Sequence, residues 1–192
     1  QEFPFNGDGY LAAEVLRLKE AHGLKCALET GTCLGSTALW LADNFDTVDT
    51  IEVNRAFAEI AKARIGERDW CGVTVGNSVD HIGDYASDNG DNGLIFLDAH
   101  WSTYCPLLDE LKEIHQWCES DGYFKPCIVI HDFQVPGTDF GYDKMPDGRH
   151  FNIDLIRTHL DAIYGEGGWK HSYPTNVEGA NRGWISIEPV QP

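Results

Sequence analysis

Four carboxylates and two histidines follow short apolar runs in this sequence, and these residue types could do chemistry there. The carboxylates are Glu29, Glu52, Asp98 and Asp132, and the histidines are His100 and His131. A charged group at the end of an apolar strand costs free energy unless a ligand, a cation or a hydrogen-bond network engages it. Carboxylate oxygens bind hard cations such as Mg²⁺, and an imidazole with an ordinary pKa of about 6.5 accepts a proton near neutral pH. The sequence therefore predicts a site for metal binding or acid–base chemistry.

The apolar runs themselves predict strands. A continuous apolar run of this length is typical of a strand that is buried on both faces of a parallel sheet. The predicted strands span residues 26–29, 48–53, 73–75, 94–97 and 127–130. Helical spacing of apolar residues predicts helices from Ser36 onwards and over 54–65 and 106–118. Strands that alternate with helices predict an α/β fold with a parallel sheet.

Two of the carboxylates are expected to share one crevice. Ligands bind at the carboxyl ends of the strands in open α/β sheets. Asp98 and Asp132 end two strands that a helical crossover would make parallel neighbours. The sequence therefore predicts a hard-cation site between Asp98 and Asp132.

A turn with two glycines connects the first predicted strand to the helix after it. Gly31 and Gly35 separate Glu29 from the helical pattern that begins at Ser36 and Thr37. Glycine tolerates positive φ and lets a ligand approach the backbone, and the start of a helix offers free N–H groups. Ser36 is a suitable N-cap for this helix. No lysine follows Gly35, which excludes the phosphate-binding GxxxxGK[ST] loop, so we expect the turn to hold another small polar ligand.

Glu52 follows this turn at the distance of about 20 residues at which dinucleotide-binding folds place an acidic residue. Its carboxylate can accept two hydrogen bonds from a ribose diol. The spacing of Gly31 and Gly35 departs from G-x-G-x-x-G. The pattern therefore favours an adenosyl ligand without a pyrophosphate over NAD.

Five segments in order resemble the motifs of class I S-adenosylmethionine-dependent methyltransferases, and in particular the small metal-assisted O-methyltransferases of the catechol type and their bacterial relatives. The segments are ALETGTCLGSTALWLA, TIEVN, VGNS, FLDAHW and VIHDF, within residues 11–133. The resemblance implies a three-layer, doubly wound Rossmann-like sheet of seven strands, mostly parallel, with an antiparallel C-terminal strand. It also implies that the protein binds S-adenosylmethionine and methylates a hydroxyl group of a small molecule such as a sugar or a phenol.

The resemblance assigns roles to individual residues. Glu29 is expected near the methionine portion of the donor, Glu52 at the ribose, and Asp98 at the reacting centre. Asn77 and Ser78 are expected to hydrogen-bond the adenine edge, with a turn that satisfies its own backbone as the alternative. The full expected cofactor-binding set is Glu29, Gly31, Gly35, Ser36, Thr37, Glu52, Asn77, Ser78 and Asp98.

By resemblance, Asp98 and Asp132 match the two metal carboxylates of the catechol-type enzymes, which implies Mg²⁺ or another divalent cation. Two positions depart from that pattern. Phe133 stands where those enzymes usually have Asn, and their lysine base has no counterpart around residues 101–103. Three alternatives follow: His131 is the third ligand, a different metal binds, or no metal binds.

His100 and His131 are the candidate general bases, with Asp98 beside them at the reacting centre. Alternation along a strand would turn His131 away from the side of Asp132, so we expect His100 to be the base. The alternative for each histidine is a purely structural role.

The rest of the chain fits one domain over residues 1–192. Residues 1–24 form a helical segment, 152–163 a last helix, and 169–173 with 184–187 a closing antiparallel hairpin. Residues 133–151 are rich in Gly, Pro and Asp and are longer than an ordinary connection, which is typical of a lid or binding loop. Its side chains Asp139, Phe140, Tyr142 and Asp143 would line an acceptor pocket, unless the loop is a solvated excursion.

Composition limits the partners. The net charge of −17 disfavours nucleic acid and anionic membranes as partners, so we expect a small-molecule acceptor. The six cysteines contain no CxxC pair, and free thiols in a reducing compartment are expected. No apolar run is of membrane-spanning length and no secretory signal is visible, which favours a cytoplasmic location. A homo-oligomer is compatible with the sequence.

Three other functions remain open at this point. A metal-free methyltransferase would use a histidine base, and a nucleotide-binding oxidoreductase would use the same fold for NAD. A non-catalytic module would bind the cofactor and transfer nothing.

Overall fold

The computed structural model describes residues 3–89, 93–100, 104–121 and 125–190; for 86–89 and 121 it describes the backbone alone. Strands and helices alternate through most of the chain, after a short 3₁₀ turn at Pro4–Gly7. The helices are α1 Gly9–His22, α2 Ser36–Asn44, α3 Arg55–Ile65, α4 Ser78–Asn89, α5 Leu107–Asp121 and α6 Ile153–Tyr164. The strands are β1 Cys26–Thr30, β2 Thr47–Glu52, β3 Cys71–Val75, β4 Gly93–Leu97, β5 Cys127–His131, β6 Trp169–Ser172 and β7 Trp184–Pro189.

All seven strands form one sheet in the order β3-β2-β1-β4-β5-β7-β6. The pairs from β3 through β5 are parallel, whereas β7 is antiparallel to both β5 and β6. The strand order reverses between β1 and β4, because β2 and β3 lie on one side of β1 and the later strands on the other. A crevice opens at such a switch point, at the carboxyl ends of the strands.

The central strands are buried on both faces because helices cover each side of the sheet. Alternate residues of β1 contact different layers: Leu28 packs with residues of α4, α5 and α6, and Ala27 with residues of α1 and α2. In β4, Ile95 and Leu94 likewise pack in different layers, Ile95 with Leu28 and Leu94 with Ala27. This two-sided burial explains why these strands are continuous apolar runs instead of alternating ones.

Side-chain caps fix the starts of three helices. Asp8 accepts hydrogen bonds from the backbone N–H groups of α1, Asn54 does so for α3, and Asn152 for α6. Each cap satisfies a backbone donor that lacks a partner within the helix. Asn54 and Asn152 thus begin the helices that the sequence predicts over 54–65 and 152–163.

The predicted fold class is confirmed: the sheet has seven strands, is mostly parallel and has antiparallel C-terminal strands. Two local predictions were incomplete or wrong. Helix α4 was not predicted, since Asn77 and Ser78 were interpreted as adenine-binding residues or as a turn. Gly35, with φ of +78°, is the N-cap of α2, so the expected cap at Ser36 is wrong.

Within the described parts of the chain, no helix combines the length and the apolar character that crossing a bilayer requires.

Candidate active site

The switch point brings the ends of β1 and β4 into direct contact. The backbone N–H of Asp98 donates to the carbonyl of Thr30 at 3.1 Å, and the N–H of Gly31 donates to Ile51 at 2.9 Å. Gly31 has φ of +82°, and a Cβ atom there would lie 2.5 Å from the carbonyl oxygen of Asp98. Only glycine fits this position, so the close approach of the two strand ends depends on it.

An open pocket with a volume of about 230 Å³ lies over these strand ends. Its walls come from the segments that follow β1, β2, β3, β4 and β5, as the switch-point rule requires. The polar residues that line it are Asn6, Gly31, Cys33, Glu52, Gly76, Asn77, Ser78, Asp98, His100, Tyr104 and Asp132. Five of the predicted cofactor-binding residues therefore share one pocket: Gly31, Glu52, Asn77, Ser78 and Asp98.

Glu52 is held rigidly at the end of β2. One carboxylate oxygen accepts the N–H of Cys33 at 2.7 Å, and the other accepts the N–H of Asn54 at 2.8 Å. The side chain is 3% exposed, yet it lines the pocket. Backbone donors on both oxygens fix the carboxylate, and its second lone pairs can accept hydroxyl groups from a ligand.

Gly35, Ser36 and Thr37 do not line the pocket, and each makes another contact. A Cβ atom on Gly35 would lie 2.9 Å from Ala61, so this glycine lets α2 approach α3. The Ser36 hydroxyl accepts from Arg64 at 2.5 Å, and the Thr37 hydroxyl accepts from the N–H of Phe5 at 2.9 Å. Their contacts fasten α2 to its neighbours, and their expected role in binding the cofactor is not supported by this placement.

Glu29 is buried beneath the pocket. Its carboxylate accepts from the Thr50 hydroxyl at 2.5 Å, and the Thr32 hydroxyl lies 2.5 Å from that of Thr50. Because burial disfavours the charged form, the pKa of Glu29 rises to about 8, although the hydrogen bond from Thr50 opposes this. Glu29 is thus largely neutral at pH 7, and its expected place beside the methionine portion of the donor stays a prediction.

A closed ring of four charged side chains lies at one end of the pocket. His100 Nε2 is 2.8 Å from Asp132 Oδ2 and 2.7 Å from Asp143 Oδ2. Arg182 donates from Nε to Asp132 Oδ1 and from Nη2 to Asp143 Oδ1. We call these residues, His100, Asp132, Arg182 and Asp143, the ion-pair ring. Each oxygen of its two carboxylates contacts a nitrogen of the ring.

The ring determines the protonation of His100. Burial lowers the pKa of His100, but the hydrogen bond to Asp132 and the charges of Asp98, Asp132 and Asp143 outweigh it and raise the pKa above its usual value. The other ring nitrogen, Nδ1, is 3.9 Å from Asp98 Oδ1, too far for a hydrogen bond. In the neutral imidazole, Nε2–H donates to the carboxylates and Nδ1 can accept a proton from a ligand in the pocket, and because the pKa is raised this neutral form appears only at higher pH than for an ordinary histidine.

His131 is a buried cation behind the ring. Its Nδ1 lies 3.2 Å from Asp98 Oδ1 and 3.5 Å from Asp132 Oδ2, and its side chain is 2% exposed. Burial lowers the pKa of His131, yet the charges of Asp98 and Asp132 raise it to about 10. His131 therefore carries a proton at neutral pH, and this state does not suit the predicted role of general base.

His131 and Asp132 face the same cluster, so the expectation that alternation turns them apart is wrong. The reason is the backbone of Asp132, which has φ of +55° and leaves the extended conformation. Burial raises the pKa of Asp132, but hydrogen bonds with His100 and His131 and the charge of His131 hold it well below its usual range. A non-glycine residue with a left-handed backbone conformation costs free energy, and such residues are typical of functional sites.

Two groups of three side chains have the spacing of metal ligands, with ligand atoms within 4.8 Å of one another. They are Asp98 with His131 and Asp132, and His100 with Asp132 and Asp143. Mg²⁺ prefers near-octahedral ligation by oxygen, whereas each group contains an imidazole. Both oxygens of Asp132 also already contact Arg182 or His100. The arrangement does not fit a magnesium ion, and we assign no step to one.

Sequence reasoning missed Arg182, and it treated Asp143 only as a lining residue of the acceptor pocket. Both lie outside helices and strands, where local patterns carry little information. The signal for Arg182 was the antiparallel pairing of β7 with β5: His131 pairs with Trp184, which places Arg182 opposite Phe133, next to Asp132. The counterpart of the lysine base was sought around residues 101–103, which lie outside the described residues.

Solved structures were compared with this fold. An O-methyltransferase from Bacillus cereus, in complex with SAH, has 18% identity and a TM-score of 0.62 over 93% of this chain and 80% of the other. The O-methyltransferase TomG from Streptomyces achromogenes, in complex with SAM, has 20% identity and a TM-score of 0.63 over 95% and 80%. CalS10, an amino pentose methyltransferase from Micromonospora echinaspora, has 14% identity and a TM-score of 0.56 over 93% and 90%.

These likenesses show that the chain has the fold of class I S-adenosylmethionine-dependent methyltransferases. No family model matches the sequence, and no curated protein matches it either.

Proposed function

We propose that this protein is an S-adenosylmethionine-dependent methyltransferase that methylates a hydroxyl group of a small molecule such as a sugar or a phenol. The observation that carries the proposal is the pocket at the switch point, where Gly31 and Asp98 meet and Glu52 closes the other side. The neighbours in fold, two of them O-methyltransferases in complex with SAM or SAH, support it.

The pocket fits an adenosyl ligand without a pyrophosphate. A Cβ on Gly31 would meet the carbonyl of Asp98, so glycine lets the ends of β1 and β4 come together at the wall of the pocket. The free lone pairs of Glu52 suit a ribose diol. Asn77 and Tyr104, whose side chains hydrogen-bond each other at 3.2 Å, border the side where a nucleoside base would lie.

When bound, S-adenosylmethionine supplies a methyl group on a sulfonium, and methylation of an acceptor oxygen forms a C–O bond as the C–S bond breaks. The protein must hold the acceptor hydroxyl in line and take up its proton. His100 Nδ1 is placed for this proton, while Asp132 and Asp143 hold Nε2 and stabilise the imidazolium that results. This is the arrangement by which carboxylates orient a histidine base in hydrolytic triads.

Binding of S-adenosylhomocysteine is the first test. Calorimetry and thermal unfolding are measured with S-adenosylhomocysteine and, separately, with NADH. We expect S-adenosylhomocysteine to bind and to raise the melting temperature, and NADH to do neither. The methyltransferase proposal fails if S-adenosylhomocysteine has no effect, and binding of NADH alone would favour the oxidoreductase.

Transfer to an acceptor is the second test. The protein is incubated with S-adenosylmethionine that is labelled in the methyl group and with a panel of sugars and phenols. Label should appear in the O-methyl product, and Asp98→Ala should abolish this. A protein that binds the cofactor but labels no acceptor, with or without Asp98, would be a binding module.

The expected partner, the cellular location and the role of the loop 133–151 also belong to the proposal. The partner is a small-molecule acceptor, and neither nucleic acid nor a membrane is required by the pocket. We propose a cytoplasmic location, where the six thiols would stay reduced. The loop 133–151 supplies Asp143 to the ion-pair ring, which supports its role at the acceptor side.

A further inference from the structure

The ion-pair ring contains a cation that belongs to the chain itself. Burial lowers the pKa of Arg182, but the hydrogen bonds and charges of Asp132 and Asp143 raise it above its usual value, so the guanidinium is charged at any pH at which the protein is folded. It bridges Asp132 and Asp143, one nitrogen to each carboxylate. His100 bridges the same two carboxylates from the other side. A divalent cation would need the oxygens that these two side chains now contact.

The backbone around Arg182 fixes it in this position. Gly141 N–H donates to Asn181 at 2.8 Å, and Gly183 N–H donates to Gly141 at 2.8 Å, so hydrogen bonds flank Arg182 on both sides. A Cβ on Gly141 would lie 3.0 Å from Arg182 Cδ, and glycine therefore leaves the space in which the arginine stem lies.

Both carboxylates of the ring are also fixed by their backbones. Phe133 N–H donates to Gly183 at 2.9 Å, which ties the end of β5 to the start of β7. Asp143 N–H donates to the carbonyl of Asp132 at 2.9 Å. The two carboxylates and the guanidinium are thus held together by main-chain contacts as well as by charge.

We propose that Arg182 is a positioning residue that takes the place of a divalent metal ion: it binds Asp132 and Asp143 and keeps them directed at His100. This inference rests on the proposed function and makes the methyl transfer independent of metal. Planar guanidinium groups suit such a bridge, because their several N–H donors diverge in one plane.

The experiment uses Mn²⁺ alone as a probe of the ring. Electron paramagnetic resonance counts free Mn²⁺, and NMR follows broadening of the imidazole signals of His100 and His131. For the wild-type protein near neutral pH, we expect no broadening and no binding below millimolar Mn²⁺. Wild-type protein that binds micromolar Mn²⁺ and broadens both histidines would overturn the proposal, whatever the behaviour of any variant.

Substitution of the arginine provides the positive arm. Arg182→Met removes the charge and keeps an apolar stem, and we expect it to bind Mn²⁺ roughly tenfold or more tightly than wild type, because two carboxylates lose their cation. Arg182→Lys keeps the charge and should exclude Mn²⁺ as the wild type does. If Arg182→Lys binds Mn²⁺ as tightly as Arg182→Met, the charge is not what excludes metal and the proposal fails.

Arg149→Met is the matched control, since Arg149 is exposed and pairs with Asp147 instead of the ring. It should bind Mn²⁺ no better than wild type. Affinity for S-adenosylhomocysteine is measured on the same samples. If the wild-type protein does not bind S-adenosylhomocysteine, the proposed function fails. The Mn²⁺ result separately decides the role of Arg182.

Discussion

His100 and Asp143 are joined by a 2.7 Å contact between Nε2 and Oδ2, although one follows β4 and the other lies in the loop after β5. Together with Asp132, this contact holds the imidazole so that Nδ1 is directed at the side of Asp98. A base is most effective when its other nitrogen is fixed by a carboxylate. The catalytic proposal can therefore be tested at either end of this contact.

Removal of the imidazole should affect turnover and not binding of the cofactor. We expect His100→Gln to lower kcat by roughly 10²- to 10⁴-fold, the usual contribution of a general base, with the affinity for S-adenosylhomocysteine retained. Label transfer and calorimetry on one preparation measure both. His115→Gln, on α5 and away from the pocket, is the control. Equal turnover of His100→Gln and wild type would exclude His100 as the base.

The pH dependence of turnover should report the carboxylates around His100. Because its pKa is raised, the neutral base forms only above the usual range, and kcat/KM should rise with pH through an apparent pKa above about 6.5. Asp143→Asn removes one of the charges that raise this pKa, so the rise should move to lower pH. A profile that stays in place would show that Asp143 does not act on His100.

Glu52 should contribute to the affinity for the cofactor. A hydrogen bond to a charged group contributes about 1.5–3 kcal/mol, so Glu52→Gln is expected to weaken binding of S-adenosylhomocysteine by roughly 10- to 100-fold. Isothermal titration measures the change. Glu59→Gln, an exposed position on α3, should bind as the wild type does. If Glu52→Gln binds S-adenosylhomocysteine as tightly as wild type does, Glu52 does not bind the ribose.

Gly31 allows a direct separation of backbone strain from steric clash. Gly31→Ala and Gly137→Ala introduce a Cβ at φ of +82° and +78°, but only the first meets a neighbour, whereas the second faces open space. Both should lose about 1–2 kcal/mol from the left-handed backbone. Gly31→Ala should lose roughly 1–3 kcal/mol more by overpacking, and its affinity for S-adenosylhomocysteine as well. Urea unfolding of both variants measures the difference in their free energies of unfolding. Equal losses would contradict the close approach of Gly31 to Asp98.

Glu110, which is buried on α5, should make stability depend on pH. Burial raises its pKa to about 7 from 4.5, although the hydroxyls of Ser78 and Thr30 oppose this. The unfolded chain therefore releases this proton at lower pH than the folded protein, and stability falls as pH rises from about 4.5 to 7.

The full effect is roughly 3 kcal/mol, since one unit of pKa corresponds to about 1.4 kcal/mol. Glu110→Gln should lose less stability than wild type between about pH 5 and pH 8, as measured by urea unfolding. Glu119→Gln, exposed on the same helix, should follow the wild type. A Glu110→Gln protein whose stability falls as steeply as that of wild type would show that the buried carboxyl does not titrate in this range.

The sequence was sufficient for the central strands β1, β4 and β5 because they contain continuous apolar runs, and burial on both faces imposes that pattern locally. The positions of Glu52, Asp98 and Asp132 followed from the rule that parallel strands end at one edge. The close contact of Gly35 with α3 could not be predicted, because a glycine that admits a helix looks the same, in sequence, as one that admits a ligand. Its neighbour Ala61 lies on another helix, and the distance between the two residues depends on how the helices pack.

The ion-pair ring could not be predicted in the same way. Its members come from the segment after β4, the end of β5, the loop 133–151 and the residue two before β7, and no local pattern connects them. The direction of the Asp132 side chain depends on a single positive φ. The antiparallel pairing of His131 with Trp184 indicates where Arg182 lies, but only when the register of the two strands is known.

The reversed direction of β7 brings the segment just before it into the ion-pair ring. In a sheet of parallel strands alone, the residues that precede a strand lie at the opposite edge from those that follow it. Because β7 runs the other way, the chain just before it, with Arg182, arrives at the carboxyl edge of the other strands. Truncation of the chain after Asn181 would thus remove the guanidinium from Asp132 and Asp143 together with β7, whereas Glu52 and Asn77, at the other side of the crevice, come from segments that remain.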